Sequence, residues 1–285
     1  MPLNSVNTDI DASIALQSLN LTETQLAATQ KQISTGYRVA DATDDGAAYA
    51  VAQRVRSDVG ALTSANQQLG NVEGLISTTL SGLTDVSNTM SSARDVLVKL
   101  ADGNTQGTQR TQYVQQYQSL LANIQTFFQD ADYNGKTLIG NMSGSAGTFG
   151  GVAVVRNEVG ATYGIGTFGG SAFYGSINFT STQLNSATTV AGLIGTGTGA
   201  TFINMVNSLG NELNTYGAAA NYVSNQITYN SDKMTAMQNG LGALVDANLA
   251  QESAMLTSLQ IRQQLGTQAL QIANQAPNSL LSLFR

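Results

Sequence analysis

FINMVNSLGNELNTYGAAANYVSNQITYNSDKMTAMQNGLGAL, residues 202–244, steps alternately by four and three through Phe202, Val206, Leu209, Leu213, Tyr216, Ala220, Val223, Ile227, Asn230, Met234, Met237, Leu241 and Leu244. Asn230 is the single polar member. A mean spacing of 3.5 residues keeps one narrow helix face against a partner for its whole length, about 65 Å at the helical rise. Compact enzyme domains rarely need such a helix, whereas rods and bundles do. Function is therefore to be sought in assembly before any pocket.

The same arithmetic recurs upstream. Ala12, Leu16, Leu19, Glu23, Leu26, Gln30 and Ile33 predict a first helix, its apolar face extended by Leu3, Val6 and Ile10. A second reads Ala48, Ala52, Val55, Val59, Leu62, Asn66, Leu69, Glu73, Ile76, Leu80, Leu83, Ser87, Met90, Arg94 and Leu97. A third reads Val114, Tyr117, Leu121, Ile124, Phe128 and Ala131. Past Leu244 the seam continues through Met255, Leu265, Ala269 and Ile272, beside a second stripe of Leu249, Leu256, Leu259 and Leu270. Ser34-Thr35-Gly36 stops the first helix, with Gly36 suited to a left-handed cap. Asp44-Asp45 opens the second, because carboxylates accept the free N–H groups there. Gly103 to Gly107 separates the second and third helices, and Tyr133-Asn134-Gly135 turns the chain. Gly240 and Gly242 predict a joint near residue 241, and Pro277 a stop.

Between residues 135 and 199 the character changes: sixteen of the 29 glycines fall there. Phe173, Gly175, Ile177 and Phe179 alternate with polar residues or Tyr174 and predict a half-buried strand, and Val152 to Val155 a second. The fold class expected is mainly α. A long-helix hairpin or coiled coil carries a helical bundle and a small central β region.

Composition removes whole classes of chemistry. The 285 residues include no Cys, His or Trp. Cys/His zinc sites and Ser-His-Asp or Cys-His pairs are therefore excluded. The net charge is −6, with twelve scattered basic residues. Nucleic-acid binding needs clustered cations, and none occur. No run of eighteen apolar residues suggests a membrane span. The terminal helices lack the basic polar face of membrane-surface helices, so they favour protein partners. Met1 to Ile14 does not read as a cleaved secretory signal, which leaves a cytoplasmic protein or one exported without cleavage. Gly164-Ile-Gly166-Thr-Phe-Gly169 has dinucleotide-binding spacing, but the strand predicted after it makes a chance match the better reading. Asp41, Asp44 and Asp45 lack ordered calcium-ligand spacing and read as helix caps. Between Lys136 and Glu212 the only charges are Arg156 and Glu158. No cofactor and no catalytic residue is assigned.

The segment Ile33-Ser-Thr-Gly-Tyr-Arg-Val-Ala-Asp-Ala-Thr-Asp-Asp-Gly-Ala-Ala-Tyr-Ala-Val-Ala-Gln-Arg54 resembles the flagellin N-terminal signature. The tail Gln264-Leu-Gly-Thr-Gln-Ala-Leu-Gln-Ile-Ala-Asn-Gln-Ala-Pro-Asn-Ser-Leu-Leu-Ser-Leu-Phe-Arg285 resembles the flagellin C-terminus, and Tyr133-Asn-Gly-Lys-Thr-Leu138 the turn after that family's third helix. The match covers about 1–140 and 200–285, with both ends in order. Gly46 and Tyr49 resemble the version in some alphaproteobacteria. The resemblance implies a bacterial flagellar filament subunit for motility, of a minimal type without large outer domains. Its termini would pair as a coiled coil in the filament core. The implied partners are copies of itself, the flagellar export apparatus, an export chaperone, and the junction and cap proteins. Its location would be extracellular. Zero His excludes the His-Glu-x-x-His protease that some flagellins carry in the outer domain.

The domains expected are a terminal coiled coil (1–44 and 245–285) and a bundle (45–244) that includes the glycine-rich 135–200. Leu3, Val6, Ile10, Leu16, Leu19, Leu256, Leu259, Leu270, Leu280, Leu281 and Phe284 are the candidate subunit interface. Val55, Val59, Leu62, Leu69, Ile76, Leu83, Phe202, Val206, Leu209, Leu213, Val223, Ile227, Met234, Met237 and Leu241 are the candidate bundle seam. The alternatives are a hook–filament junction protein, which shares the terminal design but assembles as a short ring, and a coiled-coil adaptor that stops at a defined oligomer.

Overall fold

Carboxylates and glycines set the helix ends. In the computed structural model, which describes residues 9–140, 142–195, 199 and 201–283 (side chains of the last helix to residue 275), Asp9 accepts the Ala12 N–H at 2.9 Å and starts α1 (Ile10–Thr35). Gly36, at φ +73°, ends it with its N–H on the Gln32 carbonyl. Asp45 accepts the Ala47 and Ala48 N–H groups, both at 3.0 Å, and opens α2 (Gly46–Ala101). Then come α3 (Gly107–Asp130), β1 (Lys136–Thr137), β2 (Thr148–Phe149), β3 (Val152–Val155), β4 (Thr162–Ile165), α4 (Gly170–Ile177), α5 (Ser181–Leu184), α6 (Ala187–Ile194), α7 (Thr201–Val245) and α8 (Leu249–Leu283). The chain is mainly α, with a small central β region. β1 pairs with β2 in parallel, and β3 with β4 as an antiparallel hairpin that sets Val152 opposite Ile165 and Val155 opposite Thr162.

The chain divides into two units: Met1–Asp58 with Thr235–Arg285, and Val59–Met234. Within Val59–Met234 one continuous core joins α2, α3 and α7 to the middle segment, through Leu138, Ile139, Val154, Ile165, Phe168, Phe173 and Ile177. Aromatic rings bind it together. Phe128, Phe168 and Phe173 meet pairwise with centroids 5.3–6.0 Å apart, spacings favoured for edge contacts. The Tyr117 hydroxyl donates to the Ile177 carbonyl at 2.6 Å, and Tyr216 donates to Gly166 at 3.1 Å. Burial pushes both phenol pKa values up. Asn134 (φ 50°) and Gly135 (φ 72°) make the left-handed turn after α3. Tyr133 lies so close to Gly74 that any Cβ there would stand 2.7 Å from its ring.

Several sequence expectations are corrected. Phe173 to Ile177 is helix, not strand. Phe173 and Ile177 are also four apart, and packing on Phe128 and Phe168 selects the helical period. The Gly164–Gly169 stretch therefore does run from the end of a strand to the start of a helix. That strand, however, belongs to an antiparallel pair rather than a parallel nucleotide-binding sheet. α7 passes through Gly240 and Gly242 without a joint. A helical glycine costs about 1 kcal/mol and does not force a break. α8 likewise continues past Pro277 to Leu283, since proline removes one donor without forbidding continuation.

The most instructive correction concerns phase. In α2 the expected Leu62, Leu69, Ile76, Leu83, Met90 and Leu97 are all buried. Their companions are Ala65, Val72, Thr79, Val86, Ala93 and Leu100, three residues on, not Asn66, Glu73, Leu80, Ser87 and Arg94. In α1, Leu19, Leu26 and Ile33 alternate with Thr22 and Thr29, while Leu16, Glu23 and Gln30 face solvent. Threonine serves in a seam because its hydroxyl turns back to the carbonyl four residues earlier, as Thr22 does to Ser18 (2.9 Å) and Thr79 to Leu75 (2.8 Å). The methyl is then left to pack. In α8 the packed stripe is Leu256, Leu259 and Leu270. Met255, Leu265 and Ile272, expected to continue the α7 seam, face outward, because residues 246–248 interrupt the helix and reset its phase.

Candidate functional site

The first unit is built on a joint where two chain segments zip together. The backbone N–H groups of Arg38 and Val39 donate to the Val245 carbonyl at 2.7 and 3.3 Å, and Ala247 donates to Gly36 at 2.9 Å. The Arg38 guanidinium donates to the Leu244 carbonyl at 2.5 Å. The last two carbonyls of α7 are thus satisfied, Val245 by backbone N–H groups and Leu244 by a cation that also complements the negative helix end. Beneath the joint Val39, Ala48, Ala52 and Val245 form a small buried cluster, flanked by Leu241 and Leu244. Lys31 bridges Asp41 (2.7 Å) and Asp44 (2.8 Å). Its hydrogen bonds hold Asp41 well below the usual carboxylate range, with Thr43 adding to the effect, and lower Asp44 as well. The two carboxylates in turn raise the Lys31 ammonium. Of the three aspartates read as caps, only Asp45 caps a helix. Asp41 and Asp44 tie the connecting loop to α1, an arrangement that leaves no trace in residue spacing.

From the joint, α1 and α8 run antiparallel and packed together, with Leu19 against Gly266. Leu19 and Leu259 are buried in this pair, and Leu256 and Leu270 half-buried. These four candidate interface residues therefore hold the two helices of one chain to each other. Ile10 and Leu16 are exposed, at 56% and 48%. Leu280 and Leu281 fall in α8 with side chains outside the described set, and Leu3, Val6 and Phe284 lie outside the described residues. Sequence reading missed Ile14, Leu21, Ile261 and, as outward-facing groups, Leu265 and Ile272. The first three could have been found as a second stripe, because 14 and 21 stand seven apart, and 261 and 265 four apart.

The bundle seam splits along the division between units. Within Val59–Met234, Leu62, Leu69, Ile76, Leu83, Phe202, Leu209 and Val223 are buried, and Val59, Val206, Leu213, Ile227 and Met234 half-buried. Within the first unit, Val55, Met237 and Leu241 are half-buried. Asn230, the polar seam residue, is fully buried and satisfied. Its amide donates to Asn66 Oδ1 (2.8 Å) and the Arg156 carbonyl (2.9 Å), and it accepts from Gln226 (2.9 Å). Arg110, which sequence reading passed over, is also buried. It donates to the carbonyls of Leu100 (2.7 Å), Asp102 (3.3 Å), Thr105 (2.9 Å) and Leu184 (2.6 Å), closing the C-terminus of α2. The turn of the β3–β4 hairpin is held to α7 by Glu158 and Lys233, 2.5 Å apart, and that contact lowers the Glu158 carboxyl.

Comparison with known proteins agrees with this architecture. The family model for the bacterial flagellin N-terminal helical region matches residues 6–143, and that for the bacterial flagellin C-terminal helical region matches 201–284. Flagellin FljM of Caulobacter vibrioides is 30% identical over 289 residues, covering 100% of both chains. A flagellin of Brucella melitensis biotype 1 is 30% identical, covering 99% of both. Among solved structures, a putative flagellar hook-associated protein from Vibrio parahaemolyticus aligns with TM-score 0.56 at 16% identity, over 71% of this chain and 100% of that one, a likeness of fold. With both terminal regions matched in order and full-length relatives at this identity, the chain belongs to the bacterial flagellin family.

Proposed function

We propose that this flagellin builds the flagellar filament through the outward apolar residues of its terminal helix pair. The observation that carries the reading is the set Ile10, Ile14, Leu16 and Leu21 on α1 with Ile261, Leu265 and Ile272 on α8, each between 48% and 70% exposed in one chain. Apolar rows left bare on a long helix pair mark a surface that another molecule covers, and in a homopolymer that molecule is another copy. The terminal coiled coil of residues 1–44 and 245–285 forms the core layer, with Leu3, Val6, Leu280, Leu281 and Phe284 extending it. Residues 45–244 make up the helical bundle of a subunit without large outer domains. The role is structural rather than catalytic. The subunit reaches the cell exterior through the flagellar export apparatus with an export chaperone, and meets junction and cap proteins at the filament ends.

The test is polymerisation of the purified full chain, at rising concentration or with a precipitating salt, viewed by negative-stain microscopy. Long uniform filaments support the reading. Short rings move the chain to the junction class, and a persistent small oligomer overturns assembly. Deleting Ser279 to Arg285 is expected to abolish filaments while the melting transition of the bundle persists. Filaments at normal yield from that truncation would refute the role given to the tail.

A further inference from the structure

The terminal pair has two unlike flanks. On one, Ser18, Leu21 and Gln25 of α1 face Arg262, Leu265 and Ala269 of α8 across an open groove of about 470 Å³. Gly266 forms part of its wall, where the helices approach so closely that a Cβ would stand 3.3 Å from Leu19. On the other flank Leu16 and Glu23, seven residues apart, form an exposed ridge about 140° around α1 from Leu21. Arg262 is the one basic residue of α8, and Glu23 the one glutamate of α1. Among the described residues neither takes part in a salt bridge.

We infer that the groove receives the ridge of a second copy, with that copy's Glu23 set on Arg262. The inference rests on the filament reading above and names the contact it would use. Spacing supports it. Leu16 to Glu23 spans seven residues, about 10.5 Å along the helix, and so does Arg262 to Ala269. A second α1 running antiparallel to α8 therefore places Leu16 level with Ala269 when Glu23 meets Arg262. Sign supports it too, since the groove's cation and the ridge's anion are the charges each flank leaves unpaired. Ridge and groove are different surfaces, so the contact is heterologous and repeats from copy to copy instead of closing on a twofold axis.

The experiment is a charge swap in the full chain, read as sedimentable polymer and by negative-stain microscopy, with circular dichroism and bundle melting as controls for folding. Both positions are solvent-facing, so the monomers are expected to fold. Arg262→Glu and Glu23→Arg are each expected to reduce polymer at least about tenfold, because like charges then face each other, and the double swap to recover most of it. If wild-type chains polymerise while the single reversals match them, or the double swap is no better than the singles, the groove contact is overturned and the filament reading stands. If wild-type chains do not polymerise at all, both fall together.

Discussion

In α7 every seventh side chain from Phe202 to Asn230 is enclosed, at 0–2% exposure, while in α8 Leu265 and Ile272, also seven apart, stand at 58% and 70%. The first helix has partners on several sides within its own unit, including α2, α3 and the segment from Leu138 to Leu193. The second has α1. A helix offered one neighbour can hide one stripe, and any further apolar stripe must stay bare or be covered by another molecule. The same seven-residue repeat therefore yields a finished core in one unit and an unfinished surface in the other.

The sharpest way to break this comparison is a matched pair of truncations. Leu83→Ala, inside the bundle core, is expected to cost about 2–5 kcal/mol in denaturant unfolding of the bundle. Leu265→Ala, on the bare stripe, is expected to change monomer stability by less than about 0.5 kcal/mol while lowering polymer yield. Equal destabilisation by the two would mean that the α8 stripe is already covered in the single chain. Arg110→Ala comes next. It strips donors from buried carbonyls at the end of α2 and is expected to cost about 2–3 kcal/mol in the same measurement. Arg110→Lys should recover only part of this, because one ammonium does not reproduce the guanidinium's spread of donors. Full stability of Arg110→Ala would show that water replaces it.

A smaller effect separates pairing from burial. Asn230→Leu leaves Asn66 Oδ1 without its donor, although Gln226 still donates to the Arg156 carbonyl, and is expected to cost about 1–3 kcal/mol, whereas Asn66→Leu with Asn230→Leu should come closer to wild type. A double variant as damaged as the single would show that packing, not the hydrogen bond, fixes the site. The mildest test is acid. The Lys233 ammonium lowers Glu158 below its ordinary value. Its contribution is therefore present above the ordinary glutamate range, near pH 4, and is lost as pH falls through the lowered value. Bundle melting temperature in wild type is expected to fall more steeply below about pH 4 than in Glu158→Gln, where that titration is absent. Parallel curves would remove Glu158 from the acid response.

Helix existence was legible because long periodic segments state their own geometry. The caps were legible where chemistry is local, as at Gly36 and Asp45. Phase within a helix was not. Stepping by seven fixes Leu19 and Leu69, but whether Thr22 or Glu23, Val72 or Glu73 completes the seam depends on where the neighbouring helix lies. The short middle segment was the least legible, because Phe173 to Ile177 satisfies two periods and only its contacts with Phe128 and Phe168 choose between them.

The sequence alone determined that this chain makes long amphipathic helices, contains no Cys or His, and carries both terminal signatures of its family. These follow from residue identity and spacing, which are local. Only the tertiary structure decided which apolar stripe each terminal helix spends on its partner and which it leaves bare. It also decided that Lys31 holds Asp41 and Asp44, and that Arg110 closes α2. Those outcomes depend on neighbours brought from distant parts of the chain, where competition for a shared face is settled by packing.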